Sequence, residues 1–135
     1  MVLDQDIGLN AVLFGGDMMA RMDKVAGITA SLVSQNRRFV TLKVSELEFH
    51  SPVHAGDIIE FYAHVGRQGR TSVTIHLEVK VYAPVSNARR DVTTGAFVMV
   101  AVDESLSPEI ILWKTDMLES ATAEHALRIK NAASG

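Results

Sequence analysis

Apolar positions change their period along this chain, and the changes mark its elements. Between Leu13 and Val33, Met18, Met22, Val25, Thr29 and Leu32 recur at steps of four and three, the spacing of one helical face. A second stripe, on another face, runs Gly16, Ala20, Asp23, Gly27 and Ala30. It is made of small residues around one carboxylate. Glycine inside a helix costs about 1 kcal/mol relative to alanine, so such a stripe calls for close approach by another backbone or a ligand. A lone Asp in a helix is ordinarily solvated. Here Met19, Ala20, Ala26 and Gly27 flank Asp23 at helical spacing, which predicts partial desolvation and a carboxylate suited to proton transfer.

From Phe39 the period becomes two. Val40, Leu42 and Val44 share one side, and the pattern resumes out of phase at Leu47 and Phe49. That slip predicts a β-bulge near Ser45–Glu46. The Pro52 stretch, residues 50–57, reads as a turn. A strand over 58–67 then points Ile59, Phe61, Ala63 and Val65 inward. Gln68-Gly69 turns the chain into a strand over 71–82 with Val73, Ile75, Leu77, Val79 and Val81 on one face. A polar loop over 83–90 precedes a strand over 91–103 that is apolar on both faces. A strand of that kind is covered on both sides, so an oligomer is expected. Residues 104–114 read as irregular, and a weakly amphipathic helix is expected over 117–131. Ahead of the first helix, Met1–Leu3 reads as at most a strand stub and residues 4–10 as a loop.

The result is one domain over residues 1–135 of class α+β: a buried helix, a run of antiparallel strands and a peripheral C-terminal helix. The core covers about residues 6–103, with a C-terminal extension over 104–135.

Charge narrows the function. With 13 Lys+Arg against 16 Asp+Glu and no basic run, nothing marks a nucleic-acid surface. No apolar stretch approaches the ~20 residues of a membrane span, and no secretory signal is evident. A soluble, cytoplasmic protein is expected. With no cysteine, disulfides, thiol catalysis and thiolate metal sites are excluded. The histidines, among them His50, His54, His64 and His76, lack the spacing of metal ligands. No metal and no cofactor are expected.

Several short motifs resemble one family. Phe14-Gly15-Gly16, Met19, Met22-Asp23 and Ala26-Gly27-Ile28 are similar to the helix of hotdog-fold acyl-CoA thioesterases, in their acyl-CoA hydrolase branch. Val40-Thr41 with Val44, Phe49 and Pro52 with Gly56-Asp57, Gly69-Arg70-Thr71-Ser72, and Phe97 with Val100-Ala101-Val102-Asp103 follow in the family's order. The resemblance implies a helix wrapped by an antiparallel sheet. It implies a homodimer with active sites at the subunit interface, often assembled further into a hexamer as a trimer of dimers. It also implies an acyl-CoA substrate, with coenzyme A present only as part of substrate and product. Asp23 falls on the catalytic aspartate of that family, and Gly69, Arg70, Thr71 and Ser72 on a turn that contacts coenzyme A. His50 follows Phe49 on a stretch that approaches the active site in the family. Val12 occupies a position where some relatives carry an interfacial Asn, which leaves Asn10 as the candidate second polar group.

The chemistry of the residues agrees. Thioester hydrolysis needs an activated water or a carboxylate nucleophile, which Asp23 can supply. It needs donors for the oxyanion, and unpaired amides at a helix start near Gly15 and Gly16 can supply them. Arg70 beside a glycine turn, with Arg67 nearby, suits a phosphate of coenzyme A. The length of an acyl tunnel depends on how residues such as Phe49, Phe61 and Phe97 pack, which periodicity does not resolve. Two other readings follow from the same residues. One is a non-catalytic acyl-CoA-binding module. The other is a hydroxyacyl-thioester dehydratase, disfavoured because those enzymes pair an acid with a histidine and this helix has none.

Overall fold

The computed structural model describes residues 15–114 and the backbone of residues 127–131. One helix, α1 (Gly15–Leu32), lies across an antiparallel sheet of β1 (Phe39–Phe49), β2 (Ile58–Gln68), β3 (Ser72–Ala83), β4 (Ala88–Ala101) and β5 (Leu127–Asn131). The sheet order is β1-β4-β3-β2-β5. Among the described residues no helix is long and apolar enough to cross a membrane.

The helix packs as its first stripe predicts. Met18, Met22, Val25 and Thr29 are buried, and Ala26 and Ala30 close the contact. Thr29 satisfies its hydroxyl locally by donating to the Val25 carbonyl at 2.7 Å. Leu32 departs from the expectation: at the last turn, beyond the sheet's cover, it is exposed. Beneath the helix, Val73, Ile75, Leu77, Val79 and Val81 of β3 are buried in strict alternation, and Ile59, Phe61 and Ala63 of β2 are buried on the same side. Phe97, Met99 and Ala101 of β4 join them, while Val92, Ala96 and Val100 are buried as well. Both faces of β4 are therefore covered, as its apolar sequence predicts.

The predicted bulge exists. The β1–β4 register shifts between Ser45 and Glu48, and Glu46 takes a positive φ of 52°. A second shift, between Thr41 and Lys43, corrects the reading of the first half of this strand. The extra residue there is Leu42, so Val40, Leu42 and Val44 do not share the inner face. Phe39, Val44 and Leu47 pack on the core, whereas Val40 is exposed and Leu42 is 69% exposed.

The C-terminal expectation also changes. Residues 127–131, read as the end of a helix, form β5 and pair with β2 from Ile59 opposite Asn131 to Ala63 opposite Leu127. Leu127-Arg128-Ile129-Lys130 alternates at period two, and the bare edge of β2 supplies the hydrogen bonds that a weak helix would have to find alone. The rest of the expected helix lies outside the described residues, as do Asn10 and the Met1–Leu3 stub. Between β4 and that segment, residues 104–114 run irregularly along the end of the sheet, as expected. Asn36, itself buried, fixes them: its Nδ2 donates to the Ile110 carbonyl at 2.9 Å and its Oδ1 accepts from the Leu112 amide at 2.8 Å.

Buried charge is held by pairing. Glu60 is 1% exposed and accepts from Arg89 Nε at 2.9 Å and Nη2 at 3.3 Å. The bond from Glu60 also holds the Arg89 guanidinium more firmly protonated.

Candidate active site

Three places in the fold carry the candidate residues. The first is the start of α1. Gly15 opens the helix, so its amide has no intrahelical acceptor. The ring of Phe49, at the end of β1, lies over it; a Cβ at Gly15 would come within 3.4 Å of the ring. Together with Met18, His50, Pro52, Val53 and Thr93 they line an open cavity of about 400 Å³. The turn that walls this cavity is fastened at both ends. Asp57 accepts from the His54 amide at 2.9 Å and from Arg90 Nη2 at 2.9 Å. Arg90 Nη2 also donates to the Pro52 carbonyl at 2.6 Å. His50 is tied by its amide to the Val92 carbonyl at 2.6 Å, and its Nε2 lies 3.4 Å from Thr94 Oγ1.

The second place is the middle of α1. Asp23 stands on the exposed side of the helix, and the Thr41 hydroxyl of β1 donates to its Oδ1. The Met99 sulfur lies 3.5 Å from the same hydroxyl. Within one chain the expected desolvation of Asp23 does not occur. Gly16, Ala20 and Asp23 of the small stripe face outward; only Gly27 and Ala30 are covered. Both elements expose apolar side chains, Met19 and Ile28 on α1 and Val40 and Leu42 on β1. β1 is an edge strand, with no strand on its outer side among the described residues.

The third place is the hairpin between β2 and β3. The Gly69 amide donates to the Ser72 carbonyl at 2.7 Å, closing the turn. The Arg70 carbonyl accepts from Ile111 and the Thr71 carbonyl from Ala101, both at 2.9 Å. Arg70 and Arg67 are exposed, and neither makes an ion pair among the described residues.

The structure thus brings Gly15 and Phe49 together, leaves Gly16 exposed beside them, and keeps Asp23 and the Arg70 turn apart. Asp23 is eight residues beyond Gly15, which is about 12 Å along the axis. The Arg70 turn sits at the end of the sheet where Phe39 pairs with Ala101, opposite the Phe49 end. One chain cannot aim Asp23 and the Gly15 amide at a single carbonyl. Two polar residues had no part in the sequence-level site: Thr41 and Thr93. A bulge turns Thr41 inward, and alternation alone does not show that. Thr93 sits on a face of β4 that otherwise reads as plain core.

Comparison with known proteins fixes the class. A profile of the thioesterase superfamily matches residues 10–85. The chain belongs to that superfamily, and its fold is the hotdog. Among relatives, it is 33% identical over 114 residues to the acyl-CoA thioester hydrolase YciA of Escherichia coli strain K12, covering 82% of this chain and 86% of that one. It is 34% identical over 115 residues to an uncharacterized acyl-CoA thioester hydrolase of Buchnera aphidicola subsp. Schizaphis graminum, covering 83% and 84%. Among solved structures, HI0827, a hexameric broad-specificity acyl-coenzyme A thioesterase, superposes with a TM-score of 0.81 at 32% identity over 90% of this chain and 84% of that one. The hexameric thioesterase y2039 from Yersinia pestis superposes with a TM-score of 0.78 at 34% identity, over 84% and 92%.

Proposed function

We propose that this chain hydrolyses acyl-CoA thioesters to a free acid and coenzyme A, at sites that each draw on two copies of the chain. The observation that carries the reading is the Asp23 carboxylate: outward-facing, held by Thr41 of an edge strand, on a helix and a strand that both expose apolar side chains. A second copy related by a two-fold axis and docked along β1 runs antiparallel to the first. With the axis near Val44, the Phe49 end of one copy faces the Phe39–Thr41 end of the other. The free amides at Gly15 and Gly16 of one copy then meet the Asp23 of the other, and the apolar surface around it leaves water.

In that setting Asp23 takes a proton from water as the water oxygen adds to the thioester carbon and passes it to the departing sulfur, or Asp23 adds there itself, expels the thiolate, and water then cleaves the resulting anhydride to the free acid and Asp23. The helix-start amides stabilise the oxyanion. Either route consumes one water and yields the acid and the thiol of coenzyme A, so no cofactor enters. The unpaired Arg70, with Arg67 beside it, suits a phosphate of coenzyme A. Three such pairs forming a hexamer is the fuller form of the proposal, supported by the hexameric state of the two solved relatives.

The test is thiol release from short, medium and long acyl-CoA esters by the wild type and Asp23→Asn. Loss of activity on the order of 100-fold or more is expected for a group acting in proton transfer. Equal rates remove Asp23 from the mechanism.

A further inference from the structure

The cavity at the start of α1 is walled mainly by apolar groups, from Met18, Phe49, Pro52 and Val53. Thr93 lies on it too, and it is fully buried. Among the described residues its hydroxyl is the one buried side-chain polar atom without a hydrogen-bond partner. Neighbouring polar groups have found partners: the Ser51 hydroxyl donates to the Asp91 carbonyl at 2.6 Å, and His50 approaches Thr94. Valine has the same shape as threonine and would fill the place without stranding a polar atom. An unpaired buried hydroxyl is a standing cost to the fold, and the residue that carries it lines a cavity that touches the helix start.

We propose that the Thr93 hydroxyl determines specificity by hydrogen-bonding an oxygen on the acyl chain, beyond the thioester carbonyl. The inference rests on the thioesterase reading above. Gly15 and Phe49 are exposed at the rim of the cavity, whereas Thr93 is buried. A carbonyl held by the helix-start amides sits at the rim. The chain attached to it runs inward past Met18 and the Phe49 ring to Thr93. A hydroxyl both donates and accepts, so a hydroxy or an oxo substituent satisfies it. A plain alkyl chain fills the same space and leaves Thr93 unpaired, the arrangement by which a site discriminates against an analogue lacking the polar group. The favoured substrates are short hydroxyacyl- or oxoacyl-CoA esters.

The experiment compares kcat/KM for butyryl-CoA and its 2-, 3- and 4-hydroxy derivatives, with wild type, Thr93→Val and Thr93→Ser. The wild type is expected to prefer at least one hydroxy derivative by about tenfold, one hydrogen bond's worth. In Thr93→Val that preference falls to within about twofold, with butyryl-CoA turnover kept and the melting midpoint unchanged or raised. Thr93→Ser keeps the preference. An unchanged ratio in Thr93→Val overturns the inference. So does a uniform loss with all four esters, which would place the hydroxyl on the carbonyl or on water. Absence of any preference in the wild type overturns it even if Thr93→Val does not fold. Hydrolysis of none of the four by a wild type that still cleaves longer acyl-CoA esters overturns the inference alone, and no thiol release from any chain length overturns the thioesterase reading along with it.

Discussion

Replacing Thr41 by valine removes the one hydroxyl that holds Asp23 and keeps the side chain's shape. Thr41 is half-buried on β1, its hydroxyl donates to Asp23, and the Met99 sulfur, a weak acceptor, lies 3.5 Å from it. A valine methyl rests against Met99 instead, and a β-branched residue remains in the strand, so the fold keeps its stability to within about 1 kcal/mol. The carboxylate, in contrast, loses a hydrogen bond of the charge-assisted kind, worth about 1.5–3 kcal/mol. Asp23 then samples rotamers that do not face the thioester. At about 1.4 kcal/mol per factor of ten, kcat falls roughly 10- to 100-fold while KM moves little, because the ground-state contacts of coenzyme A are untouched. Thr41→Ser restores the donor and returns most of the rate. The assay is thiol release under saturating acyl-CoA, with circular dichroism melts as the check on folding. A Thr41→Val enzyme within twofold of wild-type kcat refutes the idea that this hydroxyl orients the proposed catalytic group.

Two further outcomes follow from the surface. Leu42→Asp places a charge on the most exposed apolar side chain of the β1 edge; burying a leucine there on association is worth about 1.5–3 kcal/mol, so sedimentation should show a single chain and activity should fall with it, and an unchanged oligomer would rule out this edge as the contact. The Lys80–Asp91 pair, 2.7 Å apart, predicts a pH window. The hydrogen bond from Lys80 holds the Asp91 carboxyl below its usual value, and the same bond raises the Lys80 ammonium. The stability from Asp91 is therefore complete above about pH 4 and lost as pH falls through its lowered value, whereas that from Lys80 is complete below about pH 10 and lost above its raised value. The gap in melting midpoint between wild type and Lys80→Met should be small, level between those limits, and narrower at both ends; a gap that persists unchanged in strong acid would show that the pair is not its source.

The sequence showed its helix and inner strands because their burial is one-sided and their period regular. Val73 to Val81 and Ile59 to Ala63 alternate without interruption, and every inward position is buried. It misled where one extra residue breaks the count. The shift at Leu42 rotates Val40 outward and Thr41 toward Asp23, and no pattern of apolar letters separates that from plain alternation. It misled again at residues 127–131, where pairing with a distant edge decides the structure and local propensity does not. Asp23 was legible as a candidate from its small-residue setting and from the family likeness. Its exposure in one chain was not, because the cover we propose for it belongs to a second copy. Thr93 was hidden for a different reason: a threonine on an apolar face reads as a tolerated core residue until its hydroxyl is seen to lack a partner.

The Arg90 side chain bridges the Pro52 carbonyl and Asp57 with a single nitrogen, and so the bend beside Phe49 is rigid before any guest arrives. Ordering a loose backbone residue costs about 1–2 kcal/mol. Here that ordering is complete at the end of folding, and an incoming acyl group meets a preorganised wall. Differences in affinity between guests then reflect what each one touches, undiluted by a shared entropy of closure.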